Sequence, residues 1–341
     1  MLGVAAILLS AIGILNYLVD PLWFFGGNKL EARNFPFDER TARVAHFAAS
    51  DRNFDCYILG ASRVGMLNWH DFSGRNCFMV SFENASPSEL VAYAEYVKRH
   101  AKRQPDLVIV GVDDTNFIDL ADAHEVAAAV RDDTIPHFWD YYFSADVAKW
   151  SLKTILDAAP KARYYGKDLT GRIRADAGSL PILRMKVAPG RKWHMSLESV
   201  AQYAKFRQIF PKAHLVGFVT PVASMRIKQY QQAGLLPSYL TALHAVAGQF
   251  DEMYDFSIPS RITANPDLTY DGSHYQPAVY DMIAAAIQNH EPSFGITISG
   301  HTLADTTGLY ASRLALYAPA IEAHAVPGAP QQGSGRRLTQ R

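Results

Sequence analysis

LVIVGV, residues 107–112, is a short, uninterrupted apolar run rich in β-branched side chains. A strand with one wet face alternates apolar and polar residues, so an unbroken run fits a strand buried on both faces. Outward from it, similar short runs stand at 56–59, 78–82, 215–219 and 253–256. Stretches with helical spacing lie between and after them, at 86–100, 239–250 and 277–289. Pro87 and Glu89 sit in the first turn of one, and Pro277 opens another. Strands alternating with helices predict a three-layer α/β sandwich around a mostly parallel five-stranded sheet.

Residues 120–200 break this rhythm. They hold an aromatic cluster, HFWDYYF at 137–143, and then a basic stretch. Residues 160–192 carry nine Lys/Arg against two Asp, a local net charge of +7. A solvated face is one reading. The other is an insertion that shapes the mouth of a site and attracts an anionic ligand. The expected organisation is a body over 21–295 carrying this insertion, then an extension over 296–341. Its Pro/Gly/Gln/Ser-rich tail, from about Val326, is expected to be disordered.

Composition narrows the function classes. The chain has 341 residues, 49% of them apolar, and its 33 Lys+Arg balance 33 Asp+Glu. That is enough for a sizeable core and excludes a disordered chain. Zero net charge argues against a nucleic-acid partner. Two cysteines cannot build a four-Cys zinc site or a disulfide-rich scaffold, and the twelve histidines show no metal-ligand spacing. Neither a metal nor another cofactor is expected.

Residues 2–19 contain no charged side chain. As a helix they would cover roughly 27 Å, about a bilayer core, so residues 1–20 are expected to be a transmembrane anchor. A buried core helix and a cleaved signal peptide are the alternatives. Lys29, Arg33, Arg40 and Arg43 follow the span and no basic residue precedes it, which by the positive-inside rule favours a cytoplasmic body.

Two motifs carry chemistry. In ILGASR, residues 58–63, a strand ends at Gly60 and Ser62 lies just past its carboxyl end, the edge where open α/β sheets bind ligands. Val64 replaces the last glycine of a Gly-x-Ser-x-Gly elbow, so this is not an α/β-hydrolase turn. In YDGSHYQP, residues 270–277, Asp271 and His274 precede a helix. Such a loop can set an imidazole beside a serine and a carboxylate behind the imidazole. Either motif alone is an ordinary turn.

Together, a serine after the first strand and Asp-x-x-His near the end of the domain resemble the SGNH (GDSL-like) hydrolase superfamily. With NYLVDP (16–21), NASPSE (84–89), GVDDTNF (111–117) and DFS (255–257), the chain looks like its membrane-anchored, cell-envelope members. The resemblance implies Ser62 as nucleophile, His274 as general base and Asp271 as its orienting acid. It implies an oxyanion site made by the Ser62 N–H with donors from two middle blocks. Asn84 stands where that family has a glycine, and Asp113 where it has an asparagine. A carboxylate at Asp113 cannot donate and opposes an oxyanion. Asn116 is a substitute with the wrong spacing. Arg63 is a candidate for binding a substrate carboxylate or phosphate, or else a surface ion pair.

In this fold the strands begun by Cys56 and Cys77 are neighbours. Both a disulfide and two buried thiols remain open, and a disulfide would indicate an oxidising compartment. The resemblance favours a single-pass protein of the cytoplasmic membrane with its body in the periplasm. The expected function is an esterase or O-acyltransferase acting on an O-acyl, most plausibly acetyl, group of a cell-envelope glycan. The alternative is a non-catalytic component that binds a glycan or a membrane partner protein.

Overall fold

The structure is a computed structural model that describes residues 2–118, 125–159, 162–167, 169–174 and 195–323. Its strands are β1 (Arg33–Asn34), β2 (Cys56–Gly60), β3 (Cys77–Ser81), β4 (Leu107–Val112), β5 (Arg163–Gly166), β6 (Gly171–Ile173), β7 (His214–Val219), β8 (Glu252–Asp255) and β9 (Ile296–Thr297). The helices are α1 (Leu2–Val19), α2 (Glu39–Ala49), α3 (Pro87–His100), α4 (Ala128–Arg131), α5 (Phe138–Tyr142) and α6 (Ala145–Ile155). They continue with α7 (Glu198–Ile209), α8 (Ser224–Gln232), α9 (Leu236–Ala247), α10 (Pro277–Asn289), α11 (Leu303–Leu316) and α12 (Ala318–Ala323).

The main sheet runs β3-β2-β4-β7-β8-β9. Its first five strands are parallel and β9 joins antiparallel. Each apolar run serves two cores. Tyr57 and Leu59 pack with α3, α7 and α9 on one face, while Cys56 and Ile58 pack with α10 on the other. A capping box starts α3, with Ser86 accepting from the Glu89 N–H and Glu89 accepting from the Ser86 N–H. The chain goes from β2 to β3 on one side and then crosses to β4 on the other, so the order reverses at β2. Ligands bind at the carboxyl ends of the strands flanking such a reversal.

Cys56 and Cys77 are register partners in the β2–β3 pair and are joined by a disulfide, their Cα atoms 4.2 Å apart. Closing a loop with a sequence separation of 21 restricts the unfolded chain. Replacing both by serine is expected to cost about 3 kcal/mol in urea denaturation. A cost below about 1 kcal/mol would show that the link constrains little.

Two expectations are corrected. The fold is not a five-stranded sandwich behind a membrane helix. The main sheet is six-stranded and mixed, and β1-β5-β6 form a separate three-stranded antiparallel sheet. Strand β9 is a two-residue segment, too short for any periodicity to reveal. The strands of the small sheet, RN, RYYG and GRI, are two to four residues long and each carries an arginine, which composition alone reads as a solvated basic stretch.

The single-pass anchor, and the membrane location drawn from it, are also overturned. Among the described residues no helix is long and apolar enough to cross a membrane. A spanning helix needs about 20 apolar residues. In α1 the last turns belong to the fold instead. Buried Asn16 donates to the backbone oxygens of Tyr141, Tyr142 and Ser144 at 3.1, 3.0 and 2.9 Å. The aromatic cluster thus packs against α1. Tyr141 is buried against Phe24, and Trp139 remains exposed and stacked on Phe143. The tail from Val326 and much of the basic stretch, including Arg184, Lys186, Arg191 and Lys192, lie outside the described residues.

Candidate active site

Ser62 is the second residue after β2, in a turn that runs into a 3-10 helix at Val64–Met66. Val64 forces the turn back across the sheet, and two glycines admit it. A Cβ at Gly60 would lie 2.2 Å from the Val64 side chain, and one at Gly111 would lie 2.1 Å from it. Valine in place of the elbow glycine therefore acts as a plug that holds Ser62 at the sheet edge. Ser62 as a residue is half-buried. Among the described residues the Ser62 N–H makes no hydrogen bond.

The loop before α10 brings the other two groups. Thr269 pairs with Tyr275 in an isolated bridge, and the Tyr270 N–H donates to the His274 carbonyl at 2.8 Å. The tight turn between them needs Gly272, whose φ is +84°. The Gly272 carbonyl accepts from the Ala223 N–H at 2.8 Å, which ties the loop to the start of α8. His274 Nε2 then lies 3.0 Å from Ser62 Oγ, and His274 Nδ1 lies 2.8 Å from Asp271 Oδ2. Asp271 Oδ1 accepts from the N–H groups of His274 and Ser273 at 2.7 and 2.9 Å and from the Ser273 hydroxyl at 3.0 Å.

Burial works to raise the Asp271 carboxyl. The His274 ring, by hydrogen bond and charge, and the two amides outweigh it and hold the group well below its ordinary value. A carboxyl depressed on folding binds protons less readily than in the unfolded chain. Its contribution to stability is present above the unfolded pKa, near 4, and is lost as pH falls through the folded one. Asp271→Asn is therefore expected to lower stability at pH 7, with the gap to wild type closing as the medium approaches pH 2. An amide there also favours the wrong imidazole tautomer, so if these groups act as a triad, turnover should drop roughly ten-thousandfold. A stability gap that does not change with pH would contradict the ionised pairing.

A buried ionic group supports the turn from behind. Arg63 is 5% exposed, so it is not a surface pair. Its Nη2 lies 2.8 Å from Asp114 Oδ1 and 3.2 Å from Asp113 Oδ2. Asp114, 0% exposed, also receives Arg226 Nη1 at 3.0 Å and the Tyr230 hydroxyl at 2.6 Å. Burial would raise its carboxyl, but Arg226, Arg63 and Tyr230 together push it far down. Asp113 Oδ1 accepts from the Thr220 hydroxyl at 2.8 Å. Two guanidiniums thus face two carboxylates, and the charge of Asp113 is met inside the fold.

The structure brings Ser62, His274 and Asp271 together and gives Asn116, Arg63 and Asp113 other partners. Asn116 donates through Nδ2 to the Tyr203 hydroxyl at 2.7 Å and serves the packing of α7. Asn84 is exposed in the turn after β3, at the same sheet edge as Ser62, with φ +51°. Arg63 and Asp113 form an internal pair. Sequence reading missed Asp114, Thr220, Arg226 and Tyr230. A second carboxylate directly after a buried strand was the available signal, and Arg226 and Tyr230 stand four apart on one face of α8. Asp255, from the DFS motif, accepts from Ser257 and Tyr310 in a buried cluster of its own.

A second buried cluster fastens the small sheet beside the turn. Glu39 on α2 accepts from Arg163 and from the Tyr165 hydroxyl, both on β5, and from the Glu83 N–H at 2.6 Å. Arg43 donates to the Ser81 carbonyl and hydroxyl at 2.9 and 3.1 Å. Gly171 on β6 sits so close to residue 65 that a Cβ would lie 2.8 Å from the Gly65 carbonyl oxygen. Among the described residues no group of three or more His, Cys, Asp or Glu side chains can hold a metal ion. No protein-family model matches this chain, and no curated protein matches it.

Proposed function

We propose that the protein is a serine esterase or O-acyltransferase of SGNH type, acting on an O-acyl group, most plausibly acetyl, of a cell-envelope glycan. The observation that carries this reading is the continuous hydrogen-bonded line Ser62 Oγ–His274 Nε2 and His274 Nδ1–Asp271 Oδ2, at 3.0 and 2.8 Å. Ser62 Oγ attacks the acyl carbonyl carbon as its proton passes to His274 Nε2. The tetrahedral oxyanion faces the Ser62 N–H. Collapse breaks the bond to the sugar oxygen, which leaves with the proton from His274. Water or a second sugar hydroxyl then attacks the acyl-serine, His274 again takes and returns one proton, and Ser62 is regenerated.

A purely binding component has no use for a serine held against a carboxylate-backed imidazole. The objection from Asp113 is weakened by its partners, since Arg63 lies at 3.2 Å and the Thr220 hydroxyl at 2.8 Å, which tie its carboxylate up inside the fold. The test is an O-acetylated oligosaccharide followed by proton NMR. Loss of the bound acetyl signal, with free acetate or a newly acetylated acceptor appearing, is expected. An enzyme inert on that substrate and on p-nitrophenyl acetate alike would contradict it.

A further inference from the structure

Segment 220–230, from just after β7 into α8, touches both halves of the Ser62 site and belongs to neither. On one side it reaches the nucleophile turn through buried charge. The Thr220 hydroxyl donates to Asp113 at 2.8 Å, and Arg226 Nη1 and the Tyr230 hydroxyl meet Asp114 at 3.0 and 2.6 Å. Both carboxylates hold the guanidinium of Arg63, the residue after Ser62. On the other side the segment is bonded to the chain that carries the base. The Ala223 N–H donates to the Gly272 carbonyl at 2.8 Å, in the turn between Asp271 and His274. The Ser224 N–H donates to the Thr263 carbonyl at 2.8 Å, and the hydroxyls of these two buried residues lie 2.9 Å apart.

We propose that this segment is a strut that fixes the separation of Ser62 from His274, with Arg226 and Tyr230 as positioning residues acting through Asp114 and Arg63. The proposal rests on the reading of Ser62, His274 and Asp271 as a triad. Nucleophile and base stand 212 residues apart and arrive on different elements. Their own contact changes as the proton passes, so it is a poor tether. The chemistry tolerates little error, since a displacement of about 1 Å can cost a hundredfold in rate. The strut is stiff because a carboxylate or guanidinium pulled from its partner in a dry interior finds no substitute there.

The test is Tyr230→Phe, which removes one hydroxyl and keeps the ring, with p-nitrophenyl acetate as substrate. kcat is expected to fall about tenfold with KM within about twofold, the pattern of misaligned chemistry rather than of lost binding. Arg226→Met should cost more, up to about a hundredfold. Arg226→Lys should recover most of that loss, because Arg226 meets Asp114 through one nitrogen, which an ammonium can replace. Tyr310→Phe is the control. Its hydroxyl also lies 2.6 Å from a buried carboxylate, that of Asp255, but it stands on α11. It should lower the melting temperature as Tyr230→Phe does and leave kcat within about twofold.

In paired crystal structures, Tyr230→Phe should lengthen the Ser62 Oγ–His274 Nε2 separation from 3.0 Å to beyond hydrogen-bond reach, about 3.2 Å. Equal loss of kcat in Tyr230→Phe and Tyr310→Phe would overturn the proposal, as would a Tyr230→Phe protein that keeps both the separation and wild-type kcat. Wild-type protein without Ser62-dependent turnover would instead overturn the triad, and the separation in the Tyr230→Phe crystal would still decide the strut.

Discussion

Ser62→Ala is expected to reduce kcat for p-nitrophenyl acetate roughly ten-thousandfold or more, down to the residual level supplied by binding and backbone donors. In the proposed mechanism the hydroxyl is the atom that would form the covalent bond, and neither His274 nor water would take its place. The loss should come without unfolding. Ser62 is partly exposed, and the turn is held by Val64 between Gly60 and Gly111 rather than by the hydroxyl. Circular dichroism and the urea midpoint should match wild type. Turnover surviving at near wild-type rate would remove Ser62 from the chemistry.

Asp114→Ala should have the largest effect on stability, about 3–5 kcal/mol by urea denaturation. The cost comes less from lost attraction than from what is left behind. Arg226 and the Tyr230 hydroxyl would keep no carboxylate at 3.0 and 2.6 Å, and Arg63 would keep only Asp113. A buried cation without a partner is expensive because water cannot reach it. Removing Asp106, whose partner Arg103 lies in solvent, should leave the midpoint almost unmoved. Equal effects from the two substitutions would show that the Arg63 group is not a low-dielectric network.

What was legible in the sequence follows from how local each signal is. The runs around LVIVGV mark strands because burial on both faces removes polar residues from consecutive positions. Ser62 and the Asp271–His274 pair were legible because each sits in a short motif next to a strand end or a helix start. The small sheet was not, because its strands are short and carry arginines whose partners lie far away in sequence, as Arg163 and Glu39 do. The same distance hid the role of Arg63, whose burial depends on Asp114 and Arg226 arriving from other elements.

The amino-terminal segment misled for a related reason. An uncharged run reads as a membrane span until its one buried polar residue, Asn16, is seen holding backbone oxygens from 141–144. Hydropathy reports composition along the chain and carries no information about which residues will face which partner.

The most direct measurement is covalent labelling with a fluorophosphonate, followed by peptide mapping in a mass spectrometer. A serine activated by an imidazole at 3.0 Å attacks phosphorus and stays esterified, whereas ordinary surface serines do not react. The expected result is a single adduct, on the peptide containing Ser62, formed at a rate that collapses in His274→Ala. A folded protein that takes up no label, or takes it up on another serine, would contradict the assignment of Ser62, His274 and Asp271 as a catalytic triad.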